Sequence, residues 1–264
     1  MVAGNIRSAS SVSAEFGYEQ LTSFQTETTV YNLFGKKVVV GGLDFTNNQE
    51  ALGQLNTPQI TDFLYNSNRG SCSIDYVLSN PWVFSSVLNK WYTSSGSFIH
   101  TWSSDPSLNT NAKVPRSVSL KFIARLGAGN VSKLALGALC SSMSIRAAVE
   151  QPVSVSQSWI WGKETVGSLN TSVATENAAF VPHNFVNGQV QLPDATPITD
   201  VQAFNLTIDN GYTLLAALNS ANAQDLYSKI FTLTGTVNLA LQNTTYLNYV
   251  VNRGPVASLS FTIN

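Results

Sequence analysis

Two stretches of the chain, KKVVVGGLDF from Lys36 and VQAFNLTI from Val201, place apolar residues with the period of strands that lay one face on a core. Each is followed by a breaker, Asn47-Asn48 or Asn210-Gly211, residue types that tolerate positive φ. Further on, Cys72, Ile74, Tyr76 and Leu78 alternate with polar neighbours, and Val237, Leu239 and Leu241 alternate with the same parity. The same face is expected to be buried in both.

These likenesses share one register. Sliding the chain by the distance from Leu43 to Leu206 lays 43–91 over 206–254 without a gap, with identities at Leu43/Leu206, Asn47/Asn210, Leu52/Leu215, Leu55/Leu218, Asn56/Asn219, Asp62/Asp225, Leu78/Leu241, Asn80/Asn243 and Asn89/Asn252. Both copies then run into a predicted short amphipathic helix. In NPWVFSSVLNKW (80–91) Asn80 is a natural N-cap and Pro81 suits the first helical position, with Val83, Phe84, Val87, Leu88 and Trp91 at helical spacing. In NTTYLNYVVNRG (243–254) Asn243 takes the cap, Tyr246, Leu247, Val250 and Val251 form the apolar stripe, and Gly254 stops the helix.

After the helix comes SVSLKFIA (117–124) in the first copy and VASLSFTI (256–263) in the second, so the first carries an insertion, YTSSGSFIHTWSSDPSLNTNAKVPR, expected to be a protruding loop or long hairpin. A further hairpin is predicted in SSMSIRAAVEQPVSVSQSWIWG, with Ile145, Ala147 and Val149 alternating, a turn at Glu150-Gln151-Pro152, and Val153, Val155, Trp159 and Trp161 continuing. The second copy ends before an equivalent, leaving an edge to be covered by the segment from Thr26 to Tyr31 or by a neighbouring subunit. The expected architecture is all-β with short flanking helices, as two tandem β-sandwich or half-barrel repeats. An N-terminal arm over 1–20 precedes a first repeat over 21–165, with its inserted loop at 92–116, and a second repeat over 166–264.

Composition narrows the function. Charged residues are 11% of the chain, well under the roughly 25% of ordinary globular domains, and Ser, Thr and Asn take their place on the surface. With a net charge of -1, little repulsion keeps copies apart, which fits a protein made to assemble. A dedicated nucleic-acid binder would carry a basic excess. The opening MVAGNIRSASSVSAEFGYEQ lacks the apolar core of a signal peptide and no later run reaches the length of a membrane span, so folding in a cytoplasm is expected. Cys72 and Cys140 lack metal-site spacing and are read as buried thiols; sequons at Asn130, Asn170, Asn205 and Asn243 follow from the richness in Asn, Ser and Thr.

A search for chemistry yields no catalytic, cofactor-binding or metal-ligating residues. His100 and His183 stand in no ligand or nucleophile pattern. Gly127-x-Gly129 in RLGAGNVSK lacks the third glycine of a dinucleotide fingerprint and the Gly-Lys-Ser/Thr ending of a P-loop, so it reads as a β-turn. The carboxylates Asp44, Asp62, Asp75, Asp209 and Asp225 are dispersed. Trp82, Trp91, Trp102, Trp159 and Trp161 could form a sugar-stacking platform, the basis of an alternative reading as a carbohydrate-binding or adhesin β-sandwich, but their spacing favours packing. Charge order is uneven. Lys90, Lys113, Arg116, Lys121, Arg125, Lys133 and Arg146 face only Asp105 between Val83 and Val149, whereas Glu150, Glu164, Glu176, Asp194, Asp200, Asp209 and Asp225 face only Lys163 up to Ser228. Either the two blocks neutralise each other within a subunit, or they meet between copies in the heterologous contact that makes rings and filaments.

The segments FNLTIDNGYTLLAALN, LTGTVNLAL, NNQEALGQLN, RGSCSIDYVL and LALGALCSSMSIRAAVEQPVSVSQSWIWG together resemble the tail tube proteins of long-tailed phages and related viruses. The layout is also similar to inner-tube proteins of contractile injection systems. The resemblance implies a virion tail component and no enzyme: rings that stack into a hollow tube, DNA passing through the lumen during ejection, and no cofactor or membrane. It further implies self-association, with trimers imitating six-fold rings favoured over hexamers, tail sheath or tail-tip partners, and weak non-specific DNA contact in the lumen. The 92–116 insertion and the N-terminal arm are the expected contacts between rings, and most basic residues are expected to face outward.

Overall fold

The computed structural model describes residues 12–19, 24–46, 49–53, 60–65, 69–88, 90–94, 97–101, 117–126, 129–166, 174, 181–184, 188–191, 197–198, 201–215, 220, 222–223, 225–228, 231–240 and 260–263. The first strands are β1 (Val12–Tyr18), β2 (Asn32–Leu33), β3 (Lys36–Thr46), β4 (Gln49–Gly53), β5 (Ile60–Tyr65) and β6 (Arg69–Val77). A 3-10 helix, Pro81–Ser86, precedes β7 (Lys90–Ser94), β8 (Ser97–Thr101) and β9 (Val118–Leu126). The longest strand, β10 (Gly129–Ala148), is followed by β11 (Ser154–Trp161), β12 (Lys163–Val166), β13 (Gly188–Gln191) and β14 (Pro197–Ile198). The chain continues with β15 (Val201–Asp209), β16 (Tyr212–Leu215), β17 (Asp225–Ser228), β18 (Thr232–Leu239) and β19 (Ser260–Ile263).

β10 organises the molecule because it serves two layers. Its first half pairs with β9 and β12, and β9 pairs in turn with β1, next to β2. Its second half pairs with β11 on one side and β15 on the other, within the order β3-β6-β11-β10-β15-β18. Register shifts between Ala135 and Ala138, where Gly137 takes φ +66, and between Cys140 and Ser142 let one strand change layers. Leu134 to Cys140 are all buried, since both sides of the crossover strand meet protein there.

The core lies between the layers. Phe16 of β1 and Phe122 of β9 look down on Trp159 and Trp161 of β11 and Tyr76 of β6, with Phe34 joining them: Phe34 lies 4.8 Å from Phe16 and 5.9 Å from Trp159, and Phe122 lies 5.9 Å from Trp161, ring centre to ring centre. Buried aromatic contacts of this kind add to the area they remove from water. Gly70 faces Trp161 across β6 and β11, and any Cβ there would overlap the indole. Gly70→Ala is therefore expected to lower stability by about 1–3 kcal/mol. Urea unfolding followed by tryptophan fluorescence checks it, and an unchanged midpoint would mean that Trp161 has room to move.

Three expectations change. Val12–Tyr18, placed in the N-terminal arm, is a core strand in which Glu15 and Phe16 are both fully buried; the carboxylate broke the apolar alternation that would have revealed it. Thr26 to Tyr31 form no strand and do not cover the edge of β18. The helix after Asn80 keeps its predicted cap, with the Asn80 side chain accepting from the Trp82 N–H and Pro81 at the first turn, but it is a single 3-10 segment. The chain must enter β7 at Lys90, so Trp91 belongs to a strand and not to a helical stripe. The second predicted helix, 243–254, lies outside the described residues.

The hairpins also repeat in register. Thr46 pairs with Arg69 and Leu52 with Asp62; 163 residues on, Asp209 pairs with Thr232 and Leu215 with Asp225. The insertion opens as a hairpin of β7 and β8, and β9 and β10 pair as far as Leu126 and Gly129, the turn expected at Gly127 lying outside the described residues.

Candidate functional site: a hydroxyl-lined sheet face

Alternation along β6, β11, β10, β15 and β18 turns one side of each strand to the core and the other to solvent, and the registers align the solvent sides into rows. One row reads Val77, Ser154, Arg146, Asn205, Thr236; the next Asp75, Ser156, Ser144, Thr207, Thr234; the third Ser73, Ser158, Ser142, Asp209, Thr232. In these rows only Arg146, Asp75 and Asp209 are charged and only Val77 is apolar. All the other positions are Ser, Thr or Asn, so the surface offers short neutral donors and acceptors and almost no fixed charge.

The face is concave. A cleft of about 620 Å³ is lined from all six strands, by Lys37 of β3, Asp75 of β6, Ser156 of β11, Arg146 of β10, Asn205 of β15 and Asn238 of β18 among others. Every neighbouring pair in β3-β6-β11-β10-β15-β18 is antiparallel, so the outermost strands, β3 and β18, run in opposite directions. Among the described residues each of those two strands is paired on one side only. Both edges show apolar side chains: Val39 and Leu43 on β3 are 52% and 38% exposed, and Leu233 on β18 is 57% exposed. Leu233 ends a core-facing row, Val40, Ile74, Gln157, Met143, Ile208, whose other members are all buried.

The remaining candidates do not converge. Trp159 and Trp161 are core residues and Trp82 packs against the core, so they offer no stacking platform; Trp102 lies outside the described residues. His183 contributes backbone bonds to Leu78 and Val153, and His100 lies on β8. Asp209 accepts from the Gly211 N–H, Asp75 lies on the concave face and Asp44 on the exposed side of β3, while Asp62 and Asp225 belong to β5 and β17. No group of His, Cys, Asp or Glu among the described residues could hold a metal ion. Both cysteines are free and buried; burial pushes the Cys72 thiol up to about 12 and Cys140 well above its ordinary value, so both stay protonated and unreactive.

Part of the charge asymmetry is neutralised within the subunit. Lys133 meets Glu164 at 2.6 Å, where burial raises the Glu164 pKa and the lysine works against that rise; Lys121 meets Glu15. Among the described residues Arg146 is the member of the basic block that the sheet turns onto the concave face.

A concave, nearly uncharged sheet whose two outer strands are each paired on one side among the described residues suits a wall of an assembly better than a pocket for a small molecule. The family model for the phage tail tube protein matches residues 7–264, nearly the whole chain. The chain belongs to the phage tail tube protein family. It is accordingly a structural component of the virion tail that assembles with copies of itself into a tube. No curated protein matches it. Among the described residues no helix of this tail tube chain is long and apolar enough to cross a membrane. The concave rows escaped sequence reasoning because each depends on registers between distant strands, although VSVSQS and TLTGTVN already carried the alternating hydroxyls.

Proposed function

We propose that the subunits close into rings that stack into a hollow tail tube, that the hydroxyl-lined face forms the lumen wall, and that DNA passes over it during ejection. The observation that carries this reading is the concave six-strand sheet, polar and nearly neutral toward its open side, with one edge at each end unpaired among the described residues. A duplex sliding along a wall is retarded by every phosphate contact it keeps, and a face of Ser, Thr and Asn makes few. Head-to-tail pairing of β18 with β3 of the next copy preserves antiparallel alternation around the ring and removes both edges, the closure that abolishes the aggregation hazard of open sheets.

Two quasi-equivalent units per subunit, and hence trimeric rings imitating six-fold symmetry, are favoured by the matched hairpins β3/β6 with β4/β5 and β15/β18 with β16/β17. The β7–β8 hairpin of the insertion, present in one unit alone, is assigned to contacts between rings.

Negative-stain microscopy of the purified protein is expected to show rings or filaments with an open channel and three-fold symmetry. A companion measurement places the wall: Ser156→Cys should react with small and bulky maleimides in free subunits, but only with the small reagent in tubes. Persistent monomers at high concentration would overturn the assembly, and equal labelling by the bulky reagent would overturn the lumen assignment.

A further inference from the structure

At one end of the concave face the neutral pattern breaks. Arg146 projects between Ser154 and Asn205, its neighbours on β11 and β15, and Lys37 reaches the same cleft from β3. Lys37 is directed there by a bulge: the register of β3 against β6 shifts between Lys36 and Val39, and Lys37 itself sits at φ +50. Bulges re-aim side chains at sheet rims, and a non-glycine residue in the left-handed region persists only where its surroundings hold it. Both cations are exposed, and among the described residues neither takes part in an ion pair. Asp75 is the one carboxylate in the cleft, so two positive charges face one negative charge.

The cations share the cleft with short polar groups of the kind that accompany phosphate contacts, the Ser156 hydroxyl and the Asn205 side-chain amide, while the Ser144 hydroxyl donates to the Asn205 side-chain oxygen and Ser154 to the Arg146 carbonyl. Arginine's planar fork fits phosphate oxygens in pairs, and the lysine adds a point charge. We propose that Arg146 and Lys37 form a phosphate-contact point for double-stranded DNA, one per subunit, on an otherwise neutral wall. The proposal rests on the reading of this face as the lumen. Repeated around a ring and along a tube, a sparse set of such points holds packaged DNA off the wall's centre line weakly and releases it as salt rises or force is applied. Asp75 limits the strength of each contact.

The test uses unassembled full-length protein and a fluorescent 30-bp duplex, with anisotropy measured across a potassium chloride series for wild type, Arg146→Gln, Lys37→Gln and Asp75→Asn. Each cation removed should make the slope of log K against log salt shallower by about 1, while Asp75→Asn should bind more tightly at every salt concentration. Thermal unfolding should be unchanged in all three, because these side chains are exposed. Slopes equal to wild type in both cation variants would overturn the contact point, as would a wild type that binds no duplex at low salt. Microscopy of the same proteins, raised to assembling concentration, separates the two readings: tubes with unchanged slopes sink the contact point and leave the tube standing, whereas altered slopes in a protein that never forms tubes sink the tube.

Discussion

Lys121→Met is expected to destabilise the subunit by about 3–5 kcal/mol, the range measured when one member of a buried ion pair is removed. Glu15 and Lys121 are direct cross-strand partners in β1 and β9, and their side chains are 0% and 5% exposed. The Lys121 ammonium lies 3.3 Å from one Glu15 oxygen and 4.7 Å from the Tyr31 ring centre; the other Glu15 oxygen accepts from the Ala174 N–H. Without the lysine, one backbone donor is left to compensate a carboxylate sealed beneath the first layer. The double variant Glu15→Gln/Lys121→Met should recover most of the loss, since the amide still accepts from Ala174 and no charge remains to be buried. Urea unfolding of unassembled protein reads both. If the single variant unfolds at the wild-type midpoint, the pair is not what fastens β1 to β9.

The same pair explains why the first strand was hard to read. In VSAEFGY the apolar Ala14 and Phe16 flank a glutamate, and periodicity assigns a charge to solvent unless its partner is known. That partner is 106 residues away, beyond any local window. Glu19 hides the chain's path in the same way: it is buried and accepts from the Gln25 and Gly137 amides and from the hydroxyls of Ser117 and Ser119. By contrast β6 was legible residue by residue, because Cys72, Ile74, Tyr76 and Leu78 obey the period that burial on one face imposes. The hairpin of β10 and β11 was legible for the same reason, down to its turn, where Glu150 takes φ +61 and the Gln151 N–H donates to Ala148.

Leu52 and Asp62 match Leu215 and Asp225 along the chain, and in each hairpin the two residues of a pair sit opposite each other, so the identities mark positions where strand register is repeated. The layer change in β10 was not legible. Between Leu134 and Cys140 the strand is buried on both sides, which erases alternation where the chain crosses from one layer to the other. The candidate site shared that fate: composition forecast a neutral polar surface, yet only the pairings collect its hydroxyls on one concave face.

Leu233→Lys should leave the subunit folded and abolish tube formation. Leu233 is more than half exposed in the subunit, so replacing it removes little buried area and is expected to change the unfolding free energy by under about 0.5 kcal/mol. In a closed ring the same side chain would extend the core row of Ile74, Gln157, Met143 and Ile208 onto the next copy, where burying its exposed half contributes about 1–1.5 kcal/mol at every seam. A lysine there replaces that gain with the desolvation of a charge, the device by which natural edge strands refuse partners. Because the proposed tube would repeat the seam around each ring and along its length, a few kilocalories per contact would suffice to shift the material from tubes to subunits. Analytical ultracentrifugation with microscopy should show monomers at concentrations where the wild type is polymerised, and Leu233→Met should polymerise normally. Tubes of ordinary length from the lysine variant would mean that the edge of β18 faces solvent in the assembly and that the rings are joined elsewhere.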